Sequence, residues 1–262
     1  MKKRESNESI GCDGVRRRSR ILVADFLFLA ALLVFAALWA WNQFITSPPY
    51  IDPDKYPVRG IDISSHNGTV NLEAAAADGI SFVFIKASEG ESFIDPGFDF
   101  NYKKAVKAGL QTGAYHFFRF DVDGISQGIN LLKAVGGKEL DLGLVIDVEE
   151  AGNPRGIHPD TIQERLASMT DFLTLKGHRV MFYTNREGYY NYIQQNFSGY
   201  PLWICSFYST PINTAWTFWQ YDHHGRVKGI KGDVDLNVFC GSRREWYDFL
   251  IGEYHPETGE TQ

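Results

Sequence analysis

Cysteine is scarce. Cys12, Cys205 and Cys240 are the only three in 262 residues, which excludes a small fold stapled by several disulfides. None of them sits in a C-x-x-C or His-rich spacing, so a structural zinc site is not expected. Glycine-rich phosphate loops are missing as well: neither G-x-G-x-x-G nor G-x-x-x-x-G-K-[ST] occurs, and nothing marks a nucleotide site. No cofactor and no metal are expected. Positive charge is short in the body of the chain. Residues 1–20 hold seven basic side chains against three acidic ones, so the remainder carries -10 within a formal total of -6. An acidic body argues against general nucleic-acid binding, which needs clustered Lys and Arg to neutralise phosphates.

What the chain has is a long apolar run. "RRRSR" at 16–20 precedes "ILVADFLFLAALLVFAALWAWNQFI" at 21–45, in which Asp25 is the only charge. Such a run is long enough to cross a hydrocarbon layer of ~30 Å as a helix. Basic residues before it, with Trp39 and Trp41 near its far end, fit a cytoplasmic N-terminus and an exported body. A cleaved signal peptide is the rival, but its apolar stretch would be shorter, and no A-x-A pair follows. A buried core helix would have to be apolar all round. The expected organisation is a basic cytoplasmic segment (1–20), a single transmembrane signal anchor (21–45), a Pro-, Asp- and Ser-rich linker (46–57), a folded body (58–252) and a tail (253–262). Cys205 and Cys240 are the only possible exported pair, and spacing alone leaves their pairing open.

The body repeats one grammar of helix, glycine and strand. "LEAAAADGISFVFIKA", "FNYKKAVKAGLQTGAYHFF" and "IQERLASMTDFLTLKGHRVMFYTN" each place a glycine, Gly79, Gly109 or Gly177, between the two. In the third unit Ile162, Leu166, Met169 and Leu173 fall at helical spacing and Pro159 stands near the start. The strands are short and almost continuously apolar, as in parallel sheets covered on both faces. Eight strands are expected, near 58–64, 82–86, 112–117, 142–149, 179–184, 201–205, 216–221 and 233–238. Helical patterning fades after residue 197. The fold class is therefore α/β: an irregular, TIM-like β/α barrel with a helix-poor closing section, an open doubly wound sheet being the competitor.

Polar residues gather at or beyond the carboxyl ends of those strands: Asp62, Lys86, Glu89, His116, Asp147, Glu149, Tyr183, Asn185, Trp203, Gln220 and Asp235. In a β/α barrel that rim is where catalytic groups collect. Within "LVIDVEE" at 144–150, Asp147 and Glu149 share a parity, so they face one side with Cα atoms roughly 6 to 7 Å apart, while Val148 faces the other. Glu150 has the opposite parity and reads as a structural or solvated charge. Two carboxyls in one cavity split their proton affinities, one neutral beside one anion, which is what glycosidic cleavage requires. A D-x-E pair taken alone is equally a salt-bridged strand end; Asp62 and Asp235 shift the reading toward chemistry. Aromatic residues at the same rim, with Trp203 and Tyr183 as the cavity-facing pair, suit a sugar ligand. His116 is read as an orienting or acidic group, with a satisfied core histidine as the alternative.

The ordered blocks "GIDISSHNG" (60–68), "FVFIKASEG" (82–90), "GAYHFFR" (113–119), "LVIDVEE" (144–150), "VMFYTN" (180–185), "PLWICSFY" (201–208) and "FWQYDHHGRVKGIKGDVDLNVF" (218–239) resemble those of the glycoside hydrolase family 25 lysozymes, the Chalaropsis-type N-acetylmuramidases. The resemblance covers 58 to about 250. It implies an irregular β/α barrel and hydrolysis of the β-1,4 bond between N-acetylmuramic acid and N-acetylglucosamine in peptidoglycan. It also implies Glu149 as general acid, Asp147 as the aspartate assisting the developing charge through the substrate's acetamido group, and Asp62 and Asp235 as the other acids of the groove. His116, Tyr183, Asn185, Trp203, Gln220, Lys86 and Glu89 are expected to bind substrate. The expected partners are peptidoglycan strands and, through the anchor, a membrane, with a monomeric catalytic domain on the exported side. A catalytically inactive peptidoglycan-binding protein is the alternative; a chitinase-like enzyme would show a longer D-x-x-D-x-D-x-E pattern.

Overall fold

The structure, a computed structural model, describes residues 26, 28–39, 41, 48–211 and 214–254. The chain divides into two compact units, Met1–Ser47 and Pro48–Gln262. In the first, residues 28–39 are helical and Phe28, Leu33, Phe35 and Leu38 are exposed. The rest of the expected 21–45 span lies mostly outside the described residues, as do the basic segment 1–20 and the tail beyond Tyr254. Among the described residues no helix is long and apolar enough to cross a membrane.

The second unit is a mixed α/β fold built on a closed barrel of eight strands. The barrel strands are β1 (Arg59–Ile63), β2 (Ile80–Glu89), β4 (Gln111–Phe117), β5 (Gly143–Asp147), β6 (Val180–Asn185), β7 (Leu202–Cys205), β8 (Phe218–Gly225) and β9 (Val234–Phe239). Pairing of β1 with both β9 and β2 closes the ring. The short β3 (Phe93–Ile94) folds back on the end of β2 as a hairpin outside it. All eight expected strands are present. One expectation is corrected: the sheet is not wholly parallel, because β9 runs antiparallel to both β8 and β1. The short connection 226–233 between β8 and β9 contains no helix, and such a connection returns a strand antiparallel to its predecessor, whereas β7 and β8, joined through 206–217, stay parallel.

Helices α1 (Leu72–Ala77), α2 (Phe98–Lys107), α3 (Gly124–Val135) and α4 (Pro159–Leu175) cover the first half of the barrel. Three short helical pieces, Arg186–Gly188, Tyr189–Ile193 and Gln194–Phe197, follow β6. Helix α4 begins with Pro159 after the N-cap His158, and its Ile162, Leu166, Met169 and Leu173 are all buried. The glycines closing the three helix-to-strand turns, Gly79, Gly109 and Gly177, have φ of 94°, 72° and 84°, a conformation that disfavours any side chain.

Alternation along the strands sorts the core into two clusters. Ile61, Ile63, Val83, Ile85, Leu144, Ile146, Val148 and Phe182 face outward to the helices, while Phe82, Phe84, Val145, Met181, Trp203, Phe218 and Phe239 fill the barrel. Phe84 stacks on Trp203 with centroids 4.3 Å apart. Helix α5 (Arg243–Leu250) brings Trp246 and Phe249 against Phe218 and Phe239. It thereby plugs the end of the barrel where the parallel strands begin. The opposite rim stays available for chemistry.

Candidate active site

Strand ends set the geometry of the open rim. Asp62 is the fourth residue of β1 and pairs in register with Asp235, the second of β9. The sequence places Asp235 at a carboxyl end; its true position is the amino end of β9, brought to the same rim because β9 is reversed. The two carboxyls share a hydrogen bond. Asp62 Oδ2 also accepts from Gln220 Nε2 and Asn237 Nδ2, each at 2.8 Å. Behind them, Tyr183 donates its hydroxyl proton to Gln220 Oε1 at 2.7 Å, and Trp203 Nε1 donates to Asn237 Oδ1 at 2.8 Å. A single buried network therefore runs from the barrel filling to Asp62. Burial drives the Asp62 carboxyl up to about 6 against the pull of its amide donors. Burial, reinforced by the Asp62 charge, raises Asp235 to about 9, so at neutral pH Asp235 is the protonated partner.

Asp147 closes β5, and Val148 continues the ladder for one residue by donating to Tyr183 O at 2.8 Å. Val148 belongs to the outward cluster, which leaves Asp147 and Glu149 on the inward parity. The electrostatic neighbours agree: burial raises Asp147 well above the carboxylate range, with Glu149 the next cause and Asp62 and Glu89 adding to it. Glu149 is raised too, by burial first and then by Asp62. Lys86 opposes both shifts. Asp147 Oδ1 is buried and has no hydrogen-bond partner. Charge on these carboxyls thus raises the proton affinity of Asp147, Glu149 and Asp235, and Lys86 is the cation that opposes the shifts at Asp147 and Glu149. Glu150 points elsewhere, accepting from Tyr192 Oη at 2.8 Å.

Lys86 Nζ lies 2.9 Å from Glu89 Oε2, and the pair is partly exposed. Phe117 and Phe93 flank the ammonium, with ring centroids at 5.3 and 5.8 Å. Tyr115, two residues before Phe117, has its phenol held neutral by burial and by the charges of Asp62, Asp147 and Asp235.

Comparison with known proteins identifies the family. The family model described as glycosyl hydrolases family 25 matches residues 61–230. The chain belongs to glycosyl hydrolase family 25. It is 35% identical to lysozyme M1 of Streptomyces globisporus over 72% of this chain and 70% of that protein. It is 33% identical to the YegX protein of Escherichia coli (strain K12), over 76% of each. A family 25 glycosyl hydrolase from Bacillus anthracis superposes with a TM-score of 0.70 at 30% identity, covering 77% of this chain and 96% of that one. Family 25 membership makes the chain a glycoside hydrolase.

Two sequence expectations are corrected. His116 does not reach the bowl: it is fully buried on the outer side of β4, with Nδ1 2.8 Å from Ser88 Oγ and Nε2 3.1 Å from Gln127 Oε1. Burial lowers it to about 4, so it is neutral. Trp203 offers no open face to a sugar, since it is stacked on Phe84 and lies 4.4 Å from the Tyr183 ring. Asn185 caps the short helical turn after β6, its Oδ1 accepting from Gly188 N–H at 2.8 Å. One member went unnoticed in the sequence, the fully buried Asn237, whereas Tyr115 is one of the aromatic residues the sequence places at the rim. For Asn237 the signal is its parity with Asp235 in "DVDLN".

Proposed function

We propose that this chain is a muramidase that cleaves the β-1,4 bond between N-acetylmuramic acid and N-acetylglucosamine in peptidoglycan. What supports the reading is the carboxyl pair at the end of β5: the Glu149 charge helps raise the proton affinity of Asp147, burial raises that of both, and Asp147 has a buried carboxyl oxygen without a hydrogen-bond partner. In the free protein the deeper Asp147 competes for the proton. An acetamido N–H arriving at Asp147 Oδ1 favours the charged form of that carboxyl and leaves the proton with Glu149. Glu149 then gives this proton to the glycosidic oxygen as the C1–O bond breaks. The acetamido carbonyl oxygen attacks C1 and forms a bicyclic oxazolinium ion, whose positive charge Asp147 steadies. Water adds to C1, its proton returns to Glu149, and the ring reopens. This substrate-assisted route is one of the recognised departures from the scheme with two protein carboxylates.

Mass spectrometry of the sugars released from purified peptidoglycan tests the reading. Muramic acid at the new reducing end is expected; glucosamine there contradicts it. The apolar run 21–45 and the basic residues before it further support an uncleaved membrane anchor with the barrel on the exported side. The full-length chain should sediment with membranes and resist carbonate extraction, and recovery in the soluble fraction contradicts the anchor.

A further inference from the structure

Glu149 stands two residues past the end of β5, in a loop where the strand ladder no longer fixes it. One side chain ties that loop down. Asn153 Nδ2 donates to the carbonyl of Glu149 and to that of Phe118, each at 2.9 Å, while Asn153 Oδ1 accepts from Phe120 N–H at 2.8 Å. The peptide of Glu149 is thus tied to the segment between β4 and α3. A parallel strut runs from Arg119 Nη1 to Gly152 O at 2.7 Å, and Phe118 N–H donates to Asp147 O at 2.9 Å.

That neighbouring segment is itself anchored from beneath. Gln127 is fully buried; its Oε1 accepts from Arg119 N–H at 2.7 Å, and its Nε2 donates to Arg119 O at 3.0 Å and Val122 O at 3.1 Å. With Gln127 Oε1 acting as acceptor, the 3.1 Å contact to His116 makes Nε2 the protonated ring nitrogen, and Nδ1 accepts from Ser88 Oγ. The column runs by hydrogen bonds from Ser88 through His116 and Gln127 to Arg119 N–H and C=O, and from the flanking Phe118 C=O and Phe120 N–H through Asn153 to the Glu149 carbonyl. It connects the sheet's outer face to the backbone of the residue assigned as acid.

We propose that Asn153 is a positioning residue for Glu149, holding its peptide against the rigid β4–α3 segment so that the carboxyl stays aimed into the bowl. This rests on the reading of Glu149 as the acid. Misplacing a reacting group by about 1 Å costs on the order of 100-fold in rate.

The test compares Asn153→Ala and Asn153→Asp with the parent. The aspartate keeps the acceptor for Phe120 N–H but removes both donors to carbonyls. Both variants should lose about 10- to 100-fold in kcat on peptidoglycan with KM within about twofold. By carboxyl-carbon NMR, the Glu149 titration should move toward the ordinary glutamate range by about half a pH unit or more as the freed side chain reaches solvent. An unmoved Glu149 resonance overturns the proposal whatever the activity. So does unchanged kcat, or a loss confined to thermal stability. If Glu149→Gln keeps full activity, the acid assignment fails on its own, and the NMR titration still decides the role of Asn153.

Discussion

Asp62 and Asp235 face each other across β1 and β9, and their proton linkage has a definite sign. Both folded-state values, about 6 and about 9, lie above the ordinary aspartate value of 3.8. Between pH 4 and 9 the native state therefore binds more protons than the unfolded chain, and stability falls as pH rises through that window. The slope for one proton is at most about 1.4 kcal/mol per pH unit. Thermal unfolding should occur at lower temperature at pH 8 than at pH 5, and Asp235→Asn should flatten the dependence. A parent that gains stability over that interval contradicts the shared-proton account. The sequence made Asp147 and Glu149 legible because strand parity puts them on one face. It did not reveal Asn153, whose partners lie on a different loop, nor the placement of His116, since parity along β4 cannot say which side is the interior.

Strand β4 shows how packing dictates residue type at the level of an element. A Cβ on Gly113 would lie 2.5 Å from the Phe84 ring, and one on Gly60 would lie 2.2 Å from Phe82. Phe82 and Phe84 fill the barrel only because those two positions have no side chain. Gly113→Ala should cost about 1–3 kcal/mol by overpacking, lowering Tm by roughly 2–4 °C per kcal/mol in a domain of this size. A Gly113→Ala variant as stable as the parent in a thermal melt would show that the rings can shift at no cost. The helix, glycine and strand units were legible because periodicity changes from 3.6 to near-continuous apolar at each glycine. The direction of β9 was not, because an apolar alternation reads the same in either direction. The two-residue β3 was also hidden, being too short to carry a pattern.

At the scale of the molecule, the closed ring has two unlike ends. Helix α5 fills one with Trp246 and Phe249, and Arg179 secures it by donating to Phe249 O at 3.1 Å. The other end collects the four carboxyls. The same polarity separates the two body cysteines: Cys205 ends β7 on the bowl side, whereas Cys240 follows the reversed β9 at the plugged side, and both are free thiols. Closure itself was only half legible, since eight strand segments can be counted in a sequence but pairing of the first with the last depends on curvature. What this architecture achieves is to bring carboxyls from β1, β9 and the end of β5 close enough that burial, joined by mutual repulsion at Asp147, Glu149 and Asp235, raises the proton affinity of all four. The most direct measurement is the rate of reducing-end release from purified peptidoglycan by the parent and by Glu149→Gln, with circular dichroism confirming an unchanged fold. The account predicts cleavage by the parent and a loss of at least about 100-fold in the variant. Lysis retained at the parental rate by Glu149→Gln would contradict it.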